Sequence, residues 1–173
     1  MEPSPSLLER VATAQETAKT SEARIAEVLH LMEGQDASRA LMEELHAATV
    51  ALETLAVDTF SMFESRMQHH FKRGPFSRKL KARLLEAQKT DLAERVHHYY
   101  LAVNVLKHGK GASYRELLKT SEAPFVVKPS EVTVSDEADK ATGLVDVTVP
   151  GFFDGLSATL LESYRFLENR KPS

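Results

Sequence analysis

One short stretch, Tyr100-Leu101-Ala102-Val103-Asn104-Val105-Leu106-Lys107-His108-Gly109-Lys110-Gly111, gathers the side chains best suited to chemistry in this chain. It places an amide, an imidazole and two ammonium groups at the end of an apolar helix closed by glycine. On a helix, Asn104 and His108 are four residues apart and share a face, with Lys107 beside them and Tyr100 and His97 one and two turns earlier. An amide holds a phosphate oxygen or a ribose hydroxyl, an imidazole moves protons near neutral pH, and ammonium groups offset developing negative charge. Those are the parts of metal-independent RNA cleavage, in which the ribose 2′-hydroxyl attacks the adjacent phosphate and the protein supplies proton transfer and oxyanion stabilisation. The assignment is His108 as general acid or base, Asn104 as orienting group and Lys107 as charge stabiliser, with His97, Tyr100 and Lys110 on the substrate side.

A purely structural account of the same residues is equally concrete. His108 and Lys107 in the last turn suit the negative end of the helix dipole, and Gly109 is then a C-cap. Spacing alone does not separate the two, so whether the chain is an enzyme stays open. Other motifs point less far. Gly109-Lys110-Gly111-Ala112-Ser113 follows a helix rather than a strand and lacks the spacing of a phosphate loop. The doublets His69-His70 and His97-His98 lack the four-residue spacing of a helical zinc site, so neither a metal nor a cofactor is expected.

The elements that must position this cluster are helical. Leu7, Val11, Ala14, Ala18, Ser21, Ile25, Val28 and Met32 recur at alternating steps of four and three, a helix stripe with coiled-coil character. Gly34 is expected to end this helix in the left-handed conformation, and Asp36 or Ser38 to start the next. Leu41, Leu45, Ala48, Leu52, Leu55, Thr59 and Met62 repeat the spacing, which predicts a long antiparallel helical hairpin. From Phe60 to Phe71 apolar residues crowd several faces, as in an enclosed helix, and Gly74-Pro75 is expected to end it. Leu80, Leu84 and Ala87 among Arg78, Lys79, Lys81 and Arg83 predict an amphipathic helix over 76–88 with a basic face. Such a face is ordinarily solvated, and an RNA-facing role is the rarer alternative.

Thr90-Asp91 with Glu94 predicts a capping box for the helix that carries Asn104, whose core stripe is Leu92, Val96, Tyr99, Val103 and Leu106. A short helix over 113–119 follows. Phe125-Val126-Val127, Val132-Thr133-Val134 and the alternating Leu144 to Val149 then predict a small β-hairpin within about 124–150. A last helix, 152–169, returns Phe153, Leu156, Leu160, Leu161, Tyr164 and Leu167 to the bundle. The fold class is therefore mainly α: a helical bundle built on a long antiparallel helical hairpin, with a small β-hairpin inserted before the C-terminal helix.

Length and composition agree with one domain over 1–173: 173 residues, 42% hydrophobic, are enough for a single core. A net charge of −3 provides no global basic field, so any nucleic-acid binding must come from a local patch. Cysteine is absent, which removes disulfides and thiolate metal sites. The opening Met1-Glu2-Pro3-Ser4-Pro5 lacks a signal-peptide pattern, and no run approaches the ~18 apolar residues of a membrane span. A cytoplasmic protein without membrane association is the expectation.

The Asn104, His108-Gly109 pattern near a helix end resembles the HEPN superfamily, all-α domains of prokaryotic defence, toxin and RNA-processing proteins. Its signature is an Arg, a polar residue that is often Asn, and a His a few positions later. The segment Phe60-Ser61-Met62-Phe63-Glu64-Ser65-Arg66 is similar to a packing helix of some of these families, and the likeness spans about 41–117. It implies a homodimer in which two motifs meet to act on RNA, with a protein partner such as an antitoxin. Val103 stands where the family carries its Arg, and Lys107 or Arg95 would substitute without a guanidinium fork in the case of the lysine. A degenerate, RNA-associated member is thus one expectation. The alternative is a non-enzymatic homodimeric helical interaction or regulatory module.

Overall fold

The periodic apolar residues of the first sixty positions produce two helices, α1 (Leu7–Glu33) and α2 (Arg39–Met67). The computed structural model describes residues 6–34, 38–120, 123–127, 144–149 and 151–169. Ser6 starts α1 with a capping box: its Oγ accepts from the Glu9 N–H at 3.2 Å, and its own N–H donates to Glu9 Oε2 at 3.2 Å. Ser38 caps α2 by accepting from the Leu41 N–H, while Asp36 lies outside the described residues. Gly34 follows α1 at φ −93°, in the right-handed region, so the left-handed stop expected there is not used. Arg24 of α1 reaches Glu44 of α2 at 2.6 Å, while Arg10 and Thr13 near the start of α1 border Asp58 and Met62 near the end of α2. The hairpin is therefore antiparallel. Its adhesion comes from the buried Leu7, Val11, Ala14, Ala18, Ile25 and Val28, because an exposed ion pair such as Arg24–Glu44 is screened by solvent and adds little.

The end of α2 turns into the core, as its multi-faced apolar pattern predicts. Phe60, Phe63 and Met67 are buried, and Phe63 and Phe71 both meet the ring of Phe76 edge-on at 5.5 and 5.3 Å. The α-helix ends at Met67, earlier than Gly74-Pro75, and passes into one 3-10 turn, Gln68–His70. Gly74 adopts φ +96° in the following bend, and Pro75 begins α3 (Phe76–Glu86). Its basic face is divided: Arg78 and Lys79 are exposed, whereas the Arg83 guanidinium lies 4.4 Å from the centre of the Phe71 ring.

The junction to α4 (Thr90–His108) differs from expectation. The N-cap position is Lys89, without a side-chain bond, and Thr90 is already helical. The reason lies in how α3 ends. Gln88 takes φ +61°, its N–H donates to Leu85 O, and the Lys89 N–H donates to Leu84 O at 2.8 Å. This Schellman-type ending consumes the residues ahead of Thr90, so the capping box has no room to form.

Helix α4 is buried on most of its circumference: Leu92, Ala93, Val96, His98, Tyr99, Leu101, Ala102, Val103 and Val105 all lie inside. Such a helix is the axis of a bundle, here packed by α2, α3, the short α5 (Ala112–Lys119) and α6 (Phe152–Asn169). Tyr99 packs tilted against Phe125 at 5.3 Å and edge-on to Phe152 at 5.6 Å, and donates its hydroxyl to Phe152 O at 3.4 Å. Burial pushes its phenol up to about 12. A Cβ added at Gly155 would overlap the Tyr99 hydroxyl, so glycine permits the close approach of α6 to α4.

Between α5 and α6 lies a two-stranded antiparallel sheet, β1 (Val126–Val127) with β2 (Val145–Asp146), in the register Val126↔Asp146 and Val127↔Val145. The expected strand over Leu144 to Val149 is cut short because Asp146 Oδ1 accepts from both the Thr148 N–H at 3.0 Å and the Thr148 hydroxyl, bending the chain. Val132-Thr133-Val134 lies outside the described residues. The fold is mainly α with a small β insert before the last helix. No described helix is long and apolar enough to cross a membrane.

Candidate functional site

Because the core claims most of α4, only a narrow strip of that helix is left for polar work. Along it run His97, Tyr100, Asn104, Lys107 and His108, at the spacings of one helical face. His97 and Tyr100 stack, with ring centroids 6.4 Å apart and planes 27° from parallel, and Tyr100 leans on the buried Phe60 of α2 at 6.5 Å. Asn104 is half-buried and donates from Nδ2 to Ser113 Oγ of α5 at 3.3 Å. His97 Nε2 lies 2.9 Å from Glu116 Oε1, also of α5. Lys107 and His108 are exposed on the last turn, and Lys110 is exposed just beyond it.

The turn after α4 explains this display. Gly109 takes φ +74° and its N–H donates to Val105 O at 2.8 Å, so glycine ends the helix in the manner its position predicts. The chain then reverses within Lys110 and Gly111 and lays α5 along α4, burying Tyr114 and Leu117. On an eight-residue amphipathic helix this orientation leaves Ser113 and Glu116 beside the polar strip.

The electrostatics mix signs. Half-buried Glu64 of α2 has its carboxyl pushed above the ordinary glutamate value by loss of solvent, and the Lys107 ammonium draws it part of the way back. Lys107 therefore faces an acid of its own chain as well as solvent. His108 makes no side-chain hydrogen bond to any described residue, and its imidazole is open to a ligand.

The structure thus stacks His97 on Tyr100 and ties His97 and Asn104 separately to Glu116 and Ser113 of α5, with Lys107 further along the strip beside Glu64. It leaves His108 and Lys110 at the rim. Val103, only 2% exposed, points into the core, so the position preceding Asn104 cannot present a cation to a ligand without leaving that core. Comparison with protein-family models, curated proteins and solved structures finds no match.

Ser113, Glu116 and the Glu64–Lys107 pairing escape motif spacing because each joins α4 to another helix, α5 or α2. The amphipathic pattern of 112–119, with Tyr114 and Leu117 inward, is the signal that would have placed Ser113 and Glu116 next to α4.

Proposed function

We propose that the chain is a degenerate HEPN-like protein that holds RNA through the open strip of α4, with two copies contributing one strip each. One observation carries this: Lys107 and His108 stand exposed together at the end of α4, with the His97–Tyr100 stack behind them on the same face. A flat aromatic pair bordered by cations suits single-stranded RNA, whose bases stack on rings while lysines meet phosphates. In this arrangement His108 moves the proton of the 2′-hydroxyl or of the leaving oxygen, and Lys107 meets the phosphate charge. With Val103 inside the core and Glu64 competing for Lys107, transition-state clamping is weak, and binding outweighs cleavage. The test is incubation of labelled single-stranded RNA with untreated and chelator-treated protein. Slow cleavage that is insensitive to chelator and abolished by His108→Ala, with fold and dimer intact by circular dichroism and light scattering, is expected. Cleavage that survives His108→Ala overturns the assignment, and a strict monomer overturns the shared site.

A second reading is favoured by a specific observation. Asn104 and His97 are already bonded to Ser113 and Glu116, so these groups also serve to fasten α5 onto α4. A non-enzymatic helical interaction module predicts that His97→Ala and Asn104→Ala loosen α5 while RNA is neither bound nor cleaved.

A further inference from the structure

A second group of titratable side chains lies away from the α4 strip, where the 3-10 turn after α2 meets the C-terminal end of α6. We propose that His69, His70 and Glu168 form a binding site for one divalent ion of the zinc type. One ring nitrogen of each histidine and a carboxylate oxygen of Glu168 lie within 4.8 Å of one another. The His70 Nε2 to Glu168 Oε1 distance is 3.2 Å, across 98 residues of sequence. Tetrahedral zinc with bonds of about 2.0–2.1 Å sets its ligand atoms roughly 3.4 Å apart. One edge of that triangle is already in place, and the remaining distances, at most 4.8 Å, close by a small shift of the exposed Glu168 carboxylate.

The hydrogen bond behind His69 supports the same ligand. His69 Nδ1 lies 2.8 Å from Arg66 O, a carbonyl that only accepts, so the proton sits on Nδ1 and the lone pair of Nε2 is free to bind. Arg66 O belongs to the last turn of α2, which fixes the ring against a rigid element. The two imidazoles lie close, with centroids 4.2 Å apart and planes 36° from parallel. His70 is mostly covered, its side chain 19% exposed, and holds its position against Glu168. Two imidazoles and one carboxylate are a borderline donor set: they favour zinc and its first-row neighbours over magnesium or calcium, which take oxygen alone. Adjacent histidines fail the spacing of a helical zinc motif, and the third ligand, which makes the set complete, comes from the far end of the sequence. Three protein ligands leave a fourth position for water or for another ligand. The ion would tie the end of α2 to the end of α6.

The experiment is calorimetric titration of the untagged full chain with zinc, with cobalt as a spectroscopic probe. One ion per chain is expected, with the visible absorption of tetrahedral cobalt and a rise in Tm with zinc concentration. Glu168→Gln, which keeps the side-chain shape, and His69→Ala are each expected to weaken binding tenfold or more and to abolish the Tm rise. Glu168→Gln also guards against misfolding, since its Tm without metal should stay near that of the parent. His30→Ala, which removes the exposed histidine beside Glu33 on α1, should leave the affinity unchanged. Absence of saturable binding, or a zinc affinity in Glu168→Gln and His69→Ala equal to the parent's, overturns the proposal and leaves His70–Glu168 as a metal-free clasp.

Discussion

The two sides of α4 obey different rules. Its inward side, Tyr99, Ala102, Val103 and Val105, is closed by α2, α3 and α6 with no residue more than 2% exposed. Its outward strip, His97, Tyr100, Asn104, Lys107 and His108, is held by a few polar contacts to α5 and one acid from α2. Residues one position apart, such as Val103 and Asn104, therefore belong to separate problems: the first is fixed by packing density, the second by what it must touch. The lesson is that the inward side decides which cations the outward strip can have. A guanidinium at Val103 would satisfy a motif and break the core.

That contrast is most sharply broken at Val103 itself. Val103→Arg buries a charge with no partner and is expected to cost about 4 kcal/mol or more, measured by urea unfolding. A stable Val103→Arg protein would show that this side of α4 can open. Gly155→Ala tests the same side from α6: overlap of the new Cβ with the Tyr99 hydroxyl should cost about 1–3 kcal/mol, read as a lower midpoint at unchanged m-value.

Changes on the outward strip should be smaller. Asn104→Ala removes the bond to Ser113 at a half-buried site and is expected to cost about 1 kcal/mol, with hydrogen exchange in α5 accelerating first. A larger loss spread over all helices would mean that the strip is part of the core.

Glu64 provides the smallest and most local effect. Its carboxyl titrates above its ordinary value, so the folded state holds a proton that the unfolded state has released. Stability contributed by the protonated form is present below the unfolded value of 4.5 and is lost as pH rises through the raised folded value. Glu64→Gln should remove that slope, and Lys107→Ala should steepen it by taking away the opposing charge. Carboxyl chemical shifts followed through a pH titration show both.

Much of this division is legible in the sequence. Leu7 to Val28 and Leu41 to Met62 carry their hairpin in a simple period, and Phe60 to Phe71 declares its burial by being apolar on several sides. The stop at Gly109 is local chemistry and was equally plain. The start of α4 was not, because the Schellman-type ending at Gln88 depends on backbone angles that Thr90-Asp91 and Glu94 do not reveal. At the site, His97, Tyr100, Asn104, Lys107 and His108 follow from helical pitch alone. Ser113, Glu116, Glu64 and the meeting of His70 with Glu168 require the order in which helices pack, which no short spacing encodes.

The central claim is that the strip ending in Lys107 and His108 meets RNA phosphates. Fluorescence anisotropy of labelled single-stranded RNA, titrated with the parent protein and with Lys107→Ala over a range of salt, tests it most directly. Saturable binding is predicted whose dependence of log affinity on log salt falls in steepness by about 0.7 when Lys107 is removed, the share of one phosphate contact on a single strand. No saturable binding, or an identical salt dependence in Lys107→Ala, would contradict it.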